Sequence, residues 1–322
     1  DRSDEENEKD EATHERMWTR RHSIIPLLLS SLYICAISRM SSSESNINIP
    51  TLAIGTRIHL GKASTAPSQE KLNASISSFL RLASKCGAAR AAIAVDPERK
   101  IDDYDLVSAV QSACDECVVE TTSVKVDVIP VTPWNEFVPA LNALVTWAAC
   151  TVKAKLLLLL SAETDVDVSA LHTLCTHVSN DEDDTLVAGA ALPGHDYHPG
   201  TTSVPLNGRT TPWNTLAVWN VPKLALTGFP LVSDGLHTLS DGTTNGPAGV
   251  EEVATIALLQ TLLSHQKAKA KLVKLDGIQW DVQWNDEQRK IWHQQKMESK
   301  VSRAHVHLEL MGGAKGGTVI HI

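Results

Sequence analysis

Ala154–Asp167 reads AKLLLLLSAETDVD, and its reading decides the fold. The five leucines Leu156 to Leu160 are too few for a bilayer span, which takes about 20 apolar residues. An apolar run this short, with no alternation, is the pattern of a strand buried on both faces of a parallel sheet. It gives way abruptly to Ser161, Glu163, Asp165 and Asp167. In open α/β sheets ligands bind beyond the C-terminal ends of the strands. Carboxylates placed there either cap the next helix or hold a divalent cation that neutralises a diphosphate.

Working upstream from the leucines, Thr51 to Leu60 is predicted as a first strand. Ser68 to Cys86 follows as a helix, with Leu72, Ile76, Phe79, Leu80 and Ala83 on one face and Gly87 as its stop. Ala91 to Val95 is a second strand ending at Asp96-Pro97, Asp105 to Cys117 a second helix, and Val124 to Val131 a third strand with Asp127 inside it. Asn135 to Ala148 is the helix that leads into the leucine strand. Downstream, Ser169 to Val178 is a helix and Leu186 to Ala191 a strand. A long Gly- and Pro-containing loop runs from Leu192 to Pro212, of a length usually tied to function. Leu216 to Val221 is a strand, Glu251 to about His265 a helix, and Leu272 to Leu275 a last strand. Trp280, Trp284 and Trp292 fall in a polar C-terminal stretch. This alternation predicts an α/β protein: a Rossmann-type, mostly parallel central sheet with flanking helices.

The chain has 322 residues, 43% hydrophobic and 21% charged, enough for a sizeable core. Its net charge is −9, with eight acidic and three basic residues among the first sixteen. No basic block interleaves with aromatics, which argues against a nucleic-acid partner. Residues 1–45 read as an acidic disordered segment followed by an apolar leader. Arg20-Arg21, the apolar stretch from Ile24 to Ser38 and Ala36-Ile37-Ser38 have the layout of a signal peptide. That layout implies the secretory pathway if Met17 starts the chain, or membrane contact through residues 24–38 if they are retained as an anchor. A start at Met40 implies a cytoplasmic protein. Residues 46–310 are predicted as one domain and 311–322 as a flexible tail. Cys114 and Cys117 have zinc or redox spacing but no second CxxC, and Leu106, Val110, Ala113 and Cys117 share helical spacing, so the thiols read as core. Asn73-Ala74-Ser75 is a sequon, relevant only in a secretory setting.

Four stretches, taken in order, resemble the GT-A fold of nucleotide-diphospho-sugar glycosyltransferases, closest to the inverting family-2-like enzymes. They are the strand ending at Asp96; Ala140-Leu141-Asn142-Ala143 followed by LLLLLSAETDV; Leu186-Val187-Ala188-Gly189 with WNTLAVWNVPKLALTGF; and Gly249-Val250-Glu251-Glu252-Val253. Together they cover residues 50 to 300. The resemblance implies transfer of a sugar from a nucleotide-diphosphate donor to an acceptor hydroxyl, with inversion. It places the metal motif at the end of the leucine strand, where Ser161 takes the first position in place of an acid and Glu163 the last. Glu163, Asp165 and His293 are then the candidates for Mn²⁺ or Mg²⁺. Asp96, Ser161, Asp127, Trp213 and Asn214 are the donor-binding candidates; Trp213, Trp219 and Trp284 read either as rings that stack on a sugar or as half-buried core. Glu252 becomes the base that deprotonates the acceptor, and Glu251 its neighbour. The plain alternative for the acid pair is favourable interaction with a helix N-terminus. Two rival functions stand beside this one. A sugar-nucleotide pyrophosphorylase needs an Arg-containing phosphate loop, which Gly55-Thr56-Arg57 and Gly61-Lys62 match poorly. A catalytically degenerate GT-A domain that binds a nucleotide-sugar or glycan accords with Ser161.

Overall fold

The computed structural model describes residues 51–61, 63–121, 124–162, 164–179, 183–235, 246–279, 291, 294–295, 297–312 and 316–322. From Pro50 onward the chain forms one compact unit. Among the described residues nine strands form one sheet in the order β3-β2-β1-β4-β8-β6-β9-β11-β7. These are β1 Leu52–Ile58, β2 Arg90–Val95, β3 Lys125–Pro130, β4 Leu156–Leu160, β6 Thr185–Ala190, β7 Val204–Pro205, β8 Leu216–Asn220, β9 Lys269–Val273 and β11 Thr318–His321. A separate two-stranded ladder pairs β5, Asp165–Val166, with β10, Ile278–Gln279.

The leucine strand is the hinge of the architecture. β4 lies between β1, parallel to it, and β8, antiparallel to it, and each of its five leucines is buried. Side chains alternate across a strand, and the two cores divide accordingly. Leu156, Leu158 and Leu160 join Ile54, Ile93, Ile76, Leu80 and Val110 on one face. Leu157 and Leu159 join Leu141, Leu144, Trp219, Val253 and Ile256 on the other. The first face is covered by α1 (Gln69–Lys85), α2 (Leu106–Thr121) and α4 (Val168–Ser179), the second by α3 (Val138–Thr146) and α6 (Glu251–Leu263). A short α5, Val221–Leu224, follows β8, and α7 spans Lys300–Leu310.

The helix α1 begins where the Ser68 side chain accepts the N–H of Lys71 and buries the five apolar residues read from the sequence. The helix α3 starts later than expected. Its opening N–H groups, Phe137 at 2.5 Å and Val138 at 2.9 Å, donate to the Asp234 carboxylate from a distant turn. It then widens into a π-helical turn, Trp147–Val152, stopped by Lys153 in the left-handed region.

The sheet is mostly parallel, as expected, with β8 and β7 running against their neighbours. Two expectations are corrected. The last strand of the domain starts earlier, at Lys269, and ends at Val273. The stretch expected as a flexible tail supplies β11, hydrogen-bonded to β9 on one side and β7 on the other. Its short, Gly-flanked sequence hides a strand that only its neighbours make stable. Cys114 and Cys117 are buried on α2 as expected, and burial pushes the Cys114 thiol up to about 12.

Candidate active site

The site is built where β4 ends. The N–H of Ser161 donates to the carbonyl of Thr215 at 3.0 Å, and the Thr56 hydroxyl donates to the carbonyl of Leu160 at 2.8 Å. Thr215 precedes β8, which runs antiparallel to β4, so the turn entering β8 lies at the C-terminal end of β4. Asn214, one residue earlier, is buried and contacts both acids of α6. Its backbone N–H donates to Glu252 Oε1 at 2.5 Å, and its side-chain Nδ2 donates to Glu251 Oε1 at 3.3 Å. Its Oδ1 accepts the indole N–H of Trp219 at 2.9 Å. The sequence separates Ser161, Asn214 and the Glu251–Glu252 pair widely; the fold gathers them.

Glu251 and Glu252 are each only 5% exposed. They open α6 immediately after Gly249 (φ +96) and Val250 (φ +55), and Val250, the N-cap, offers no side-chain cap. A buried β-branched residue in the left-handed region is strained. Gly249 is favoured by its φ, and a Cβ there would also press on the end of the Arg303 side chain, 2.5 Å from Nη1. Burial pushes the Glu252 carboxyl up to about 7, and the neighbouring Glu251 adds to the shift. Lys300 and the Asn214 N–H act against it. Burial lowers Arg303, while Glu251 and Glu252 oppose that fall. An acid poised near neutrality is suited to accepting a proton at physiological pH.

The flank of the site is held by α7 and the segment before it. Arg303 Nη1 donates to the carbonyl of Ala248 at 2.7 Å, and the His307 ring meets the carbonyl of Pro247 at 2.5 Å. Lys300 Nζ sits 3.4 Å from the ring centroid of Trp213, and the His195 ring stacks on Trp213 at 3.6 Å. Two groups that close cannot share one face, so both faces of this indole are covered. Its N–H donates to the carbonyl of Gly208. Trp213 is therefore a buried support and not an open sugar platform, and Trp219, fully buried edge-on to Phe229, is one too. His195 is held neutral, its pKa lowered to about 3 by burial first. Its Nε2 faces only a carbonyl, that of Thr211, so it carries the proton, and Nδ1 accepts the N–H of Leu192.

The other sequence candidates scatter. Asp96 is buried at the C-terminal end of β2, two strands from β4 and hence about 10 Å across the sheet. Its Oδ1 accepts the N–H groups of Glu98 and Arg99, and nearby Glu98 accepts the N–H of Trp134. Asp127 lies in mid-strand, paired in register with Ala92, four residues short of Asp96. Its carboxylate is taken up by Arg90 and by the Trp147 indole N–H at 2.8 Å, which makes it a structural residue away from the rim. Asp165 is exposed on β5. Glu163 and His293 lie outside the described residues. Among the described residues no three His, Cys, Asp or Glu side chains gather to hold a metal. The sequence reading missed Asn214 as the link between the acids and His195 altogether, and it offered Lys300 and Arg303 as phosphate partners or a solvated helix face, where the structure sets them over Trp213 and on the Ala248 carbonyl. Only a contact map carries those signals.

Two of the hollows that open on the surface of the described residues differ in their relation to the site. One of about 750 Å³ lies between α2 and the edge strand β3, lined by Gln111, Asp115 and Val128, and holds none of these site residues. The other, about 530 Å³, is lined by His195, Tyr197, His198 and Asn207, beside Trp213.

No family model matches the sequence, and no curated protein matches it. Among solved structures the chain is similar to glucosyl-3-phosphoglycerate synthase from Mycobacterium tuberculosis in complex with phosphoglyceric acid. The identity is 9%, over 80% of this chain and 81% of that one, with a TM-score of 0.45. It is similar to the same synthase with Mn²⁺, uridine-diphosphate-glucose and glycerol 3-phosphate, at 9% identity over 83% and 87% and a TM-score of 0.43. It is also similar to 4-diphosphocytidyl-2C-methyl-D-erythritol synthase from Anaerococcus prevotii, at 8% identity over 77% and 96% and a TM-score of 0.41. The chain's own sheet is α/β and mostly parallel, with β8 reversed beside β4.

Proposed function

We propose that the protein is a nucleotide-sugar-dependent glycosyltransferase that inverts the anomeric centre, with Glu252 as its base. The observation that carries this reading is the contact chain from the end of β4 through Thr215 and Asn214 to Glu252. It sets a carboxyl with a pKa near neutrality beside the strand ends where an α/β sheet binds its ligand. In the step, Glu252 takes the acceptor's hydroxyl proton while the acceptor oxygen bonds to the anomeric carbon. The bond from that carbon to the donor's diphosphate breaks, and the nucleoside diphosphate leaves with the electron pair. Asp96, at the end of β2, is the proposed partner of the nucleoside end of the donor. Glu163 and Asp165 remain the proposed holders of Mn²⁺ or Mg²⁺, which would offset charge on the leaving diphosphate.

A second reading, a GT-A-like domain that binds a nucleotide-sugar without turnover, is favoured by Ser161 in place of an acid and by the depth of Glu252. One experiment separates the two. A panel of UDP- and GDP-sugars is screened by thermal shift with and without Mn²⁺, since a ligand that binds only the folded state raises the melting temperature. Donor hydrolysis is then followed for the sugar that binds. A shift with hydrolysis supports the transferase, a shift without it the binding module, and no shift with any sugar removes both.

A further inference from the structure

We propose that Asn214 is a positioning residue for the two carboxylates of α6, and that Trp219 fixes the sense in which it works. The inference rests on the reading of Glu252 as the base. Adjacent residues on a helix do not face each other, yet Glu251 and Glu252 both hydrogen-bond to this one residue, Glu252 through its backbone N–H and Glu251 through its side chain. The amide has a donor end and an acceptor end, and the indole N–H is a donor only. With Oδ1 on the Trp219 N–H, Nδ2 must face Glu251. Turning the amide over would set donor against donor at Trp219 and oxygen against oxygen at Glu251. Trp219 is fully buried in β8 and packed edge-on to Phe229, so the orientation is anchored in the central sheet. Asn214 therefore ties both carboxylates to the end of β4.

The charges facing Glu252 come from Glu251 on its own helix and from Lys300 and Arg303 on α7. Any Asn214 variant keeps the backbone N–H to Glu252, so substitutions isolate the side chain. Asn214→Asp keeps the shape and the acceptor for Trp219 but turns a third carboxylate on the pair. Asn214→Ala removes the donor to Glu251 without adding charge, so the amide no longer holds a negative charge beside Glu252, and Glu252 ionises more readily.

The test reads the Glu252 carboxyl directly, by carbon-13 NMR titration of the full chain labelled at glutamate, with Glu252→Gln assigning the resonance. Asn214→Asp is expected to raise the Glu252 midpoint by about one pH unit and Asn214→Ala to lower it. A loss of packing alone would relax both variants in the same downward direction. If the midpoint stays put or falls in folded Asn214→Asp, the proposal is overturned. If Asn214→Asp does not fold, an unmoved midpoint in Asn214→Ala overturns it instead. The titration needs no substrate. Opposite shifts without donor hydrolysis by the parent would leave the positioning intact and sink the transferase reading; hydrolysis without the shifts would do the reverse.

Discussion

The N–H of Ser161 donates to the carbonyl of Thr215 at 3.0 Å, and this bond ties the end of the leucine strand to the turn that carries Asn214. Without it the acids of α6 would be a helix start like any other, stabilised by the helix N-terminus by about 0.3–1 kcal/mol. With it they belong to the rim of the sheet. Two carboxylates buried side by side lose solvation and repel each other. That cost is acceptable where their chemistry is used and unexplained where it is not.

Glu252→Gln keeps the size and hydrogen bonding of the side chain and deletes its basicity. The expected outcome is a loss of about 10²–10⁴-fold in single-turnover transfer, the usual contribution of a general base, with donor affinity retained. Equal transfer by the variant and the parent would remove Glu252 from the mechanism. Loss confined to Glu251→Gln would move the role one residue.

Burial and Glu251 together raise Glu252, so both rate and stability depend on pH. A general base works deprotonated, so under the proposed function the parent's rate is expected to rise as pH passes about 7. In Glu251→Gln that limb moves to lower pH, because a neighbouring negative charge is gone. Stability has the opposite sense. Below the ordinary value of 4.5 the group is protonated folded and unfolded. Between 4.5 and about 7 only the unfolded chain ionises, so stability falls as pH rises. Glu252→Gln lacks this loss, and its advantage over the parent should grow by on the order of 3 kcal/mol between pH 4.5 and pH 8. Urea midpoints at the two pH values check it; a constant difference would mean that Glu252 is not held neutral by the fold.

Much of the frame was legible because it rests on local pattern. The faces of α1 and the unbroken leucines of β4 each answer to one periodicity, and the acid pair announced itself by standing at a helix start. What was not legible is contact across the chain. Nothing local in Leu216–Asn220 says that β8 runs antiparallel. Asp234 caps α3 from about a hundred residues away, and Trp213 reads equally as a sugar platform or as core until His195 and Lys300 are seen on its two faces. Asp127 illustrates the converse: an acid in a strand invites a functional reading, and Arg90 with Trp147 supplies a structural one.

Gly208 tests how tightly α7 is seated. A Cβ there would meet the Lys300 carbonyl oxygen at 2.2 Å, a backbone atom that cannot swing aside. Gly208→Ala is expected to destabilise the protein by about 1–3 kcal/mol, the usual cost of overpacking. It should also move Lys300 off Trp213. Tryptophan fluorescence and thermal unfolding together read both effects, and an unchanged spectrum and melting temperature would show that α7 is not held at this point.

The C-terminal strand gives the last prediction. β11 inserts between β9 and β7, with Val319 paired to Ala270 on one side and to Val204 on the other. Val319 is fully buried, and His321 is buried with Nε2 on the carbonyl of Thr210 and Nδ1 on the N–H of His198. Gly317 donates no side chain but lets the strand pass, since a Cβ there would lie 2.6 Å from Gln260 Oε1, which accepts the N–H of Thr318. Deleting residues 316–322 would expose the edge of β9, strand β7 and the Gln260 side chain at once. A frayed tail would be removed without effect. The structure instead calls for a loss of several kcal/mol, the sum of one buried Val, at about 1.5–3 kcal/mol, and backbone and side-chain hydrogen bonds at about 1 kcal/mol each. Point substitution separates this from nonspecific truncation damage. Val319→Asp should reproduce most of the loss in the full-length chain, and Ile322→Asp, at the 41% exposed last position, should not. Equal urea midpoints for the parent and Val319→Asp would mean that β11 does not pair in solution.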